Sequence, residues 1–267
     1  MKRKLSVLFF IVTTAAICSA QSTLYFPQVA EGVQADGTQW GMIVAVTNPA
    51  TQVTTFTLGV MKDDGTPWII NWQQNGCAQE NGNQSSIVCD LGPGHTALLI
   101  SPGESGHSTT SLQTGFATVS SGPFPVSATA IFSESSRAGR IAQAGILSAT
   151  PLTRQEVIAL APNPSGPNVI VLYPPNTATT AVAVANPGTV TANIMYQLLD
   201  ANGQPAAAVV TRTLAANNHT AFFVNQLFPN TAIAGTLRII SDVPIVTPGL
   251  LFQNNGQFAT FPVFPLP

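Results

Sequence analysis

Three histidines, eleven acidic residues and two cysteines beyond position 20 carry most of the chemistry open to this chain. His95 and His219 come first because they recur: His95-Thr96-Ala97 is matched by His219-Thr220-Ala221, and each triplet opens an apolar run. A repeated imidazole invites a catalytic or metal-binding reading. The alternative is structural: each ring would hydrogen-bond to the backbone of the turn before its strand. That alternative explains both copies, whereas a duplicated enzyme tends to keep its catalytic residue in one copy or build one site between two. His107 has no repeat partner. It ends Gly103-Glu104-Ser105-Gly106-His107, which resembles a nucleophile elbow, but that motif needs Gly two residues after Ser on a strand-to-helix turn. Here Gly106 comes one residue after, with no helical pattern behind it, and a solvated loop is expected.

Asp63, Asp64 and Asp90 would supply oxygen ligands for calcium, yet a calcium loop wants several carboxylates at short fixed spacing. Turn chemistry explains Asp63-Asp64-Gly65 as well as the related Asp200-Ala201-Asn202-Gly203. Trp68, Ile70 and Trp72 fall on one face of a strand. Exposed, the two indoles form a platform for ligand binding, stacking a sugar or a peptide; buried, they are core. Cys77 and Cys89 are an even pair, read as a disulfide in an oxidising compartment; two free thiols or half a metal site is the alternative. Asn83-Gln84-Ser85 and Asn218-His219-Thr220 match the glycosylation sequon. A phosphate-binding Gly loop, Cys-x-x-Cys, His-Glu-x-x-His and paired carboxylates do not occur in recognisable form. Neither catalytic residues, a metal site nor a cofactor is expected.

The elements that must hold these residues are strands. The chain of 267 residues is 45% hydrophobic, enough for real cores, and only 7% charged, against roughly 25% in an average soluble protein. Its polarity comes from Thr, Ser, Asn and Gln, a profile suited to an extracellular or periplasmic β protein. Twenty-one glycines and 21 prolines punctuate the chain as turns. Apolar residues alternate over short runs, and no 3.6-residue period lasts three turns.

Residues 1–20 read as a secretory signal peptide: Lys2-Arg3-Lys4, an apolar run from Leu5 to Ile17, then Cys18-Ser19-Ala20 before a cleavage point at Gln21. A membrane anchor would need a longer apolar run, roughly 20 residues. A lipid attached at Cys18 would want a small residue where Ile17 stands. Beyond the leader, six basic residues face 11 acidic ones, a net charge of -5. That argues against nucleic acid and anionic membranes as partners. No later segment is apolar enough over a bilayer's width to span it.

A repeat organises the remainder. Val44-Ala45-Val46-Thr47-Asn48-Pro49 returns as Val182-Ala183-Val184-Ala185-Asn186-Pro187, and Asp64-Gly65-Thr66-Pro67 returns as Asn202-Gly203-Gln204-Pro205, both shifted by 138 residues. Proline stops the strand, having no N–H for a ladder, and glycine supplies positive φ in the turn. The chain is thus expected to be all-β: two tandem antiparallel Ig-like β-sandwich domains after a signal peptide. Domain 1 would span residues 22–150 and carry the Cys77–Cys89 loop. A Pro-rich linker would follow at 151–167, with Val157 to Leu160 available as a short strand. Domain 2 would span 168–267, opening on a strand at Val169 to Tyr173.

At these positions the chain resembles a group of secreted two-unit β proteins common in Acidobacteria-like bacteria. The resemblance rests on Phe26-Pro27, Val46-Thr47-Asn48-Pro49, Asp64-Gly65-x-Pro67 and Ala144-Gly145. In the second copy it rests on Ala185-Asn186-Pro187, Asn202-Gly203, His219-Thr220-Ala221-Phe222, Leu227-Phe228-Pro229 and Gly256-x-Phe258. It implies secretion and tandem Ig-like or fibronectin-like sandwiches, and it transfers no catalytic residue. The expected function is non-catalytic interaction outside the cell, as adhesion, matrix or envelope association, with extracellular polysaccharide or an envelope protein as partner. The alternative is a carbohydrate-binding module using Trp68 and Trp72. The parts the two copies do not share, all in the first unit, are where function is expected: the cysteine loop, the Trp68–Trp72 strand and the Ser101–Gln113 loop.

Overall fold

A computed structural model describes residues 22–77, 81–136, 139–161, 178–229, 231, 233–253 and 257–267. The leader, most of the expected linker's proline run and the strand expected at Val169 to Tyr173 lie outside them. The fold is all-β and antiparallel. The first half holds β1 (Ser22–Val33), β2 (Gln39–Thr47), β3 (Thr54–Lys62), β4 (Ile70–Asn75), β5 (Gly82–Gln84), β6 (Ser86–Leu91), β7 (Thr96–Ile100), β8 (Gln113–Ser121), β9 (Ser127–Ser136) and β10 (Gly139–Ile146). The second holds β11 (Leu152–Ala161), β12 (Ala178–Ala185), β13 (Ala192–Asp200), β14 (Val210–Leu214), β15 (His219–Phe223), β16 (Ile233–Ile245), β17 (Gly249–Gln253), β18 (Phe258–Phe261) and β19 (Phe264–Pro265). A 3-10 turn, Pro102–Ser105, and one short helix, α1 (Val224–Leu227), are the helical pieces among the described residues.

The two halves repeat one strand order. In the first, β6-β3-β8-β1 faces β10-β9-β2-β7, and in the second β14-β13-β16-β11 faces β15-β12-β17-β18. The first half adds β4 and β5 beside β7; the second adds β19 beside β11. Alternation explains the layers. Phe56, Leu58 and Val60 of β3 point inward, as do Met42, Val44 and Val46 of β2, and all are buried in one core. The second core gathers Ile194, Tyr196 and Leu198 of β13 against Val182 and Val184 of β12.

One expectation changes. Residues 151–161 are not linker: β11 pairs along its length with β16 and takes the place that β1 holds in the first half. Its inward residues, Gln155, Val157 and Ala159, are buried; the short strand available at Val157 to Leu160 lies within this longer one. Within the first half, β1 runs through Pro27. A register shift between Phe26 and Val29 absorbs the proline, as bulges do, and the strand runs on to pair Gly32 with Trp40.

The Asn-Pro segments owe their recurrence to asparagine. Asn48 and Asn186 are fully buried. The Asn48 amide donates to the carbonyls of Gln52, Leu91 and Gly92 at 2.7, 2.9 and 3.2 Å. The Asn186 amide donates to Val190, Leu214 and Ala215 at 2.8, 3.0 and 3.1 Å. Each carbonyl oxygen accepts from the backbone two residues on, at Ala50 and Gly188. One side chain thus satisfies carbonyls that would otherwise be stranded where a loop crosses between the sheets.

The halves share a packed junction. Phe258 of β18 stacks on Phe132 and Trp40, with centroids 4.7 and 5.6 Å away and planes within 17°. Ala181, Leu250 and Phe258 belong to the same buried cluster as the first core. The Thr260 hydroxyl donates to the Gly145 carbonyl at 2.7 Å.

Candidate functional site

Trp68 and Trp72 are 5% and 1% exposed, so the proposed sugar platform is overturned. Both rings face the first core, and Trp72 Nε1 donates to the Gln84 carbonyl at 3.2 Å. The period-2 reading placed the three residues on one face correctly, and that face is the inner one. Its opposite face carries Ile69, 67% exposed, with Asn71 and Gln73 beside it in solvent.

That outer face walls a cleft of about 440 Å³. The opposite wall is the loop from His107 to Gln113, and Asn83 of the cysteine loop closes one end. All three segments that break the duplication therefore meet at one place. Asn71, Gln73, Asn83 and Gln113 bring side-chain amides, Ser108, Thr109 and Thr110 bring hydroxyls, and Lys62 and His107 bring basic groups. Lys62 is the one lysine beyond the leader. Such a set offers many neutral donors and acceptors to a polar ligand, with Ile69 as an apolar contact.

Glu31 lies at the cleft's floor and is buried. Burial raises its pKa above the ordinary value; the hydroxyls of Ser101 and Ser108 and the Gly103 amide offset this in part, and the nearby Glu104 charge adds to the rise. Glu31 works as a latch. It accepts from the Ser101 hydroxyl and, through both oxygens, from the Gly103 N–H at 3.1 Å. The Ser101 oxygen in turn accepts from Met42 N–H at 2.8 Å. The 3-10 turn is thereby drawn onto β2 so closely that a Cβ at Gly103 would lie 1.8 Å from the Trp40 carbonyl oxygen. The sequence Gly103 to His107 is thus an anchored turn, and Glu104 accepts from the Ser133 hydroxyl on β9. Glu31 escaped sequence reading because a lone carboxylate in a polar stretch looks solvated; its one signal was a place midway between Val29 and Val33.

His95 and His219 are not equivalent. The Asn48 and Asn186 networks align Leu91 with Leu214, a shift of 123 residues, whereas His95 to His219 is 124. The slip sets His219 opposite Ala185 of β12, the place that Thr96 holds opposite Thr47, and leaves His95 in the turn before β7. His219 is buried and His95 exposed, its ring lying over Gly92. His219 does not bond to its own turn either: its Nδ1 meets the Asp63 carboxylate of the first half at 2.6 Å, and its N–H donates to the Asp63 carbonyl at 3.1 Å. Thr114 also donates to Asp63, at 2.7 Å.

The remaining candidates have structural partners. Asp64 accepts from Thr66, and Asp90 from Thr55 at 2.5 Å. Among the described residues, no three His, Cys, Asp or Glu side chains gather as a metal site. His107 reaches the cleft without Glu104 or Asp90. Cys77 and Cys89 form a disulfide, with Cα atoms 5.5 Å apart, tying the end of β4 to β6. The stretch 78–80 within its loop lies outside the described residues. Asn218 of the second sequon lies in the junction turn, where its amide donates to the carbonyls of Ala216 and Asp64 at 3.1 Å; Asn83 is exposed. Among the described residues, no helix is long and apolar enough to cross a membrane.

No protein-family model matches the chain. No curated protein matches it in sequence. Among solved structures, Thermotoga maritima 1070 aligns over 44% of this chain and 97% of its own, at 14% identity and a TM-score of 0.34. The major pilin from Streptococcus pyogenes aligns over 89% of this chain and 96% of its own, at 6% identity and a TM-score of 0.22.

Proposed function

We propose that the protein is a non-catalytic, secreted or cell-surface binding protein, and that the cleft between Ile69–Gln73 and His107–Gln113 is its binding surface. One observation carries this reading: the cysteine loop, the 68–72 stretch leading into β4 and the Ser/Gly loop, the features the second half does not repeat among the described residues, converge on that cleft. Its neutral amides and hydroxyls suit extracellular polysaccharide, or the backbone of an envelope protein, as partner. Secretion is supported by the disulfide and by the leader pattern. The carboxylates that might have served catalysis are engaged in holding elements together, Asp63 across the junction and Glu31 under the 3-10 turn.

The test is retention of the chain from Gln21 onward on immobilised polysaccharides and envelope fractions. A triple variant, Ile69→Asp, Asn71→Ala and Gln113→Ala, should lose retention while its thermal midpoint is unchanged. Equal retention of variant and parent would remove the cleft from the function.

A further inference from the structure

Glu31 does more than anchor the 3-10 turn. It stands in β1 two residues before Val33, and this short stretch seats the far wall of the cleft. The Val33 N–H donates to the Thr110 carbonyl at 2.8 Å, and the Leu112 N–H donates to the Val33 carbonyl at 2.9 Å. Gly32 lies so near that wall that a Cβ there would stand 2.6 Å from Leu112 Cα. At the wall's other end the His107 N–H donates to the Pro102 carbonyl at 2.9 Å, so the wall leaves directly from the turn that Glu31 holds. Gln39 adds a tie, its side-chain oxygen accepting from the Ser108 N–H at 3.0 Å.

No cation meets the charge on Glu31. Among the described residues it makes no ion pair, although Lys62 and His107 line the same cleft. On the elements packed against β1, Glu104 of the turn and Glu134 of β9 are acidic and β10 carries Arg140, while β2, β8 and β12 bear no charged residue. Of these, Glu104 is the charge that acts on Glu31, and it is a like one. Both protonation states of Glu31 fit the latch. The carboxylate accepts from Ser101 and Gly103; the carboxyl accepts from Gly103 and donates to the Ser101 oxygen, which already accepts from Met42. The difference is solvation. A buried carboxylate without a cation is costly to keep ionised, and it regains water only when the turn lifts away.

We propose that Glu31 is the positioning residue of the cleft, and that its ionisation loosens the wall from His107 to Leu112. This rests on the reading of the cleft as the binding surface, and it adds a condition to that reading: ligand is held in acid and released as pH rises. The sign follows from linkage. The protonated group's contribution is complete below the ordinary carboxylate pKa and is lost as pH rises through the raised folded value.

Amide hydrogen exchange of the chain from Gln21 onward, between pH 4 and pH 8 and corrected for the intrinsic rate at each pH, tests this. In the parent, protection at 107–112 should fall severalfold as pH rises. Glu31→Gln keeps a neutral group that accepts from Gly103 and donates to Ser101, and its protection should stay at the parent's acid level throughout. His107→Gln should keep the parent's fall, which separates Glu31 from the wall's own histidine. Flat protection in the parent, an equal fall in Glu31→Gln, or loss of the fall in His107→Gln would each overturn the proposal. The measurement uses no ligand, so a cleft that fails the retention test and a latch that fails this one are told apart.

Discussion

The ring of His219 meets the carboxylate of Asp63 at 2.6 Å across the junction, joining a strand start in the second half to a turn in the first. The histidine side chain is fully buried while the aspartate remains about half exposed. Burial works against the Asp63 carboxylate, but hydrogen bonds from His219 and Thr114 and the histidine's charge outweigh it, and the net pKa falls below the ordinary value. A carboxylate with a depressed folded pKa contributes stability above its unfolded pKa and loses it as pH falls through the folded one. Asp63→Asn should therefore cost about 1 kcal/mol at pH 7 and flatten the loss of stability below pH 4. Urea unfolding of parent and variant between pH 7 and pH 2.5 measures both; parallel curves would show that the pair contributes nothing.

Glu31 has the opposite sign. Its folded pKa is raised, chiefly by burial, so the folded state holds its proton longer than the unfolded chain. Its contribution is greatest below the unfolded value and declines as pH rises through the folded pKa. Glu31→Gln should remove that decline, so that variant and parent converge at low pH and the variant gains relative stability at pH 8. Glu31→Ala leaves the Gly103 N–H and the Ser101 hydroxyl without their acceptor and should cost about 1–3 kcal/mol at low pH, and less at pH 8.

Asn48 and Asn186 predict a contrast with their neighbouring prolines. Asn48→Ala or Asn186→Ala strands several buried carbonyls and should cost about 3 kcal/mol. Asn48→Asp should cost more, since it sets a charge against those same carbonyls. Pro49→Ala should cost no more than about 1 kcal/mol, mainly through a looser unfolded chain. Equilibrium denaturation ranks the four variants; proline ahead of asparagine would reverse the account.

The disulfide closes a loop with a sequence separation of 12. Intact-mass and peptide analysis without reductant should recover Cys77 joined to Cys89. Cys77→Ser with Cys89→Ser should lower stability by about 3 kcal/mol. The cleft should loosen as well, because Asn83 lies in the closed loop, and faster amide exchange at 82–84 would report it.

Local patterns were the legible part of this fold. Alternation at 54–62 and 192–200 marks β3 and β13, and the glycine turns at 65 and 203, with φ of 78° and 75°, are visible as repeated letters. Contacts between distant residues left no such trace. Trp40, Phe132 and Phe258 stack together, yet nothing near any one of them specifies the others. Asn48 was visible only beside Pro49, and proline's known effect on strands drew the explanation to the wrong residue. His95 and His219 looked alike because three letters agree, while register depends on a loop one residue different in length. The cleft was legible in outline, as the set of unshared segments. Its buried carboxylate and the outward face at Ile69 were not, because inside and outside of an apolar strand are decided by what packs on it.

The turn that carries Asp63 has a counterpart at residues 200–203, with the same backbone bonds from Asp200 to Gln204 and from Gly203 to Asp200. The residue in Asp63's place there is Ala201, as the shift of 138 requires. The seam between the halves is therefore not self-propagating. A further copy stacked on the second half in the same way would bring its buried imidazole against a methyl group. The two halves form a matched pair with a head and a tail rather than a unit for an indefinite array, and that polarity rests on one side chain.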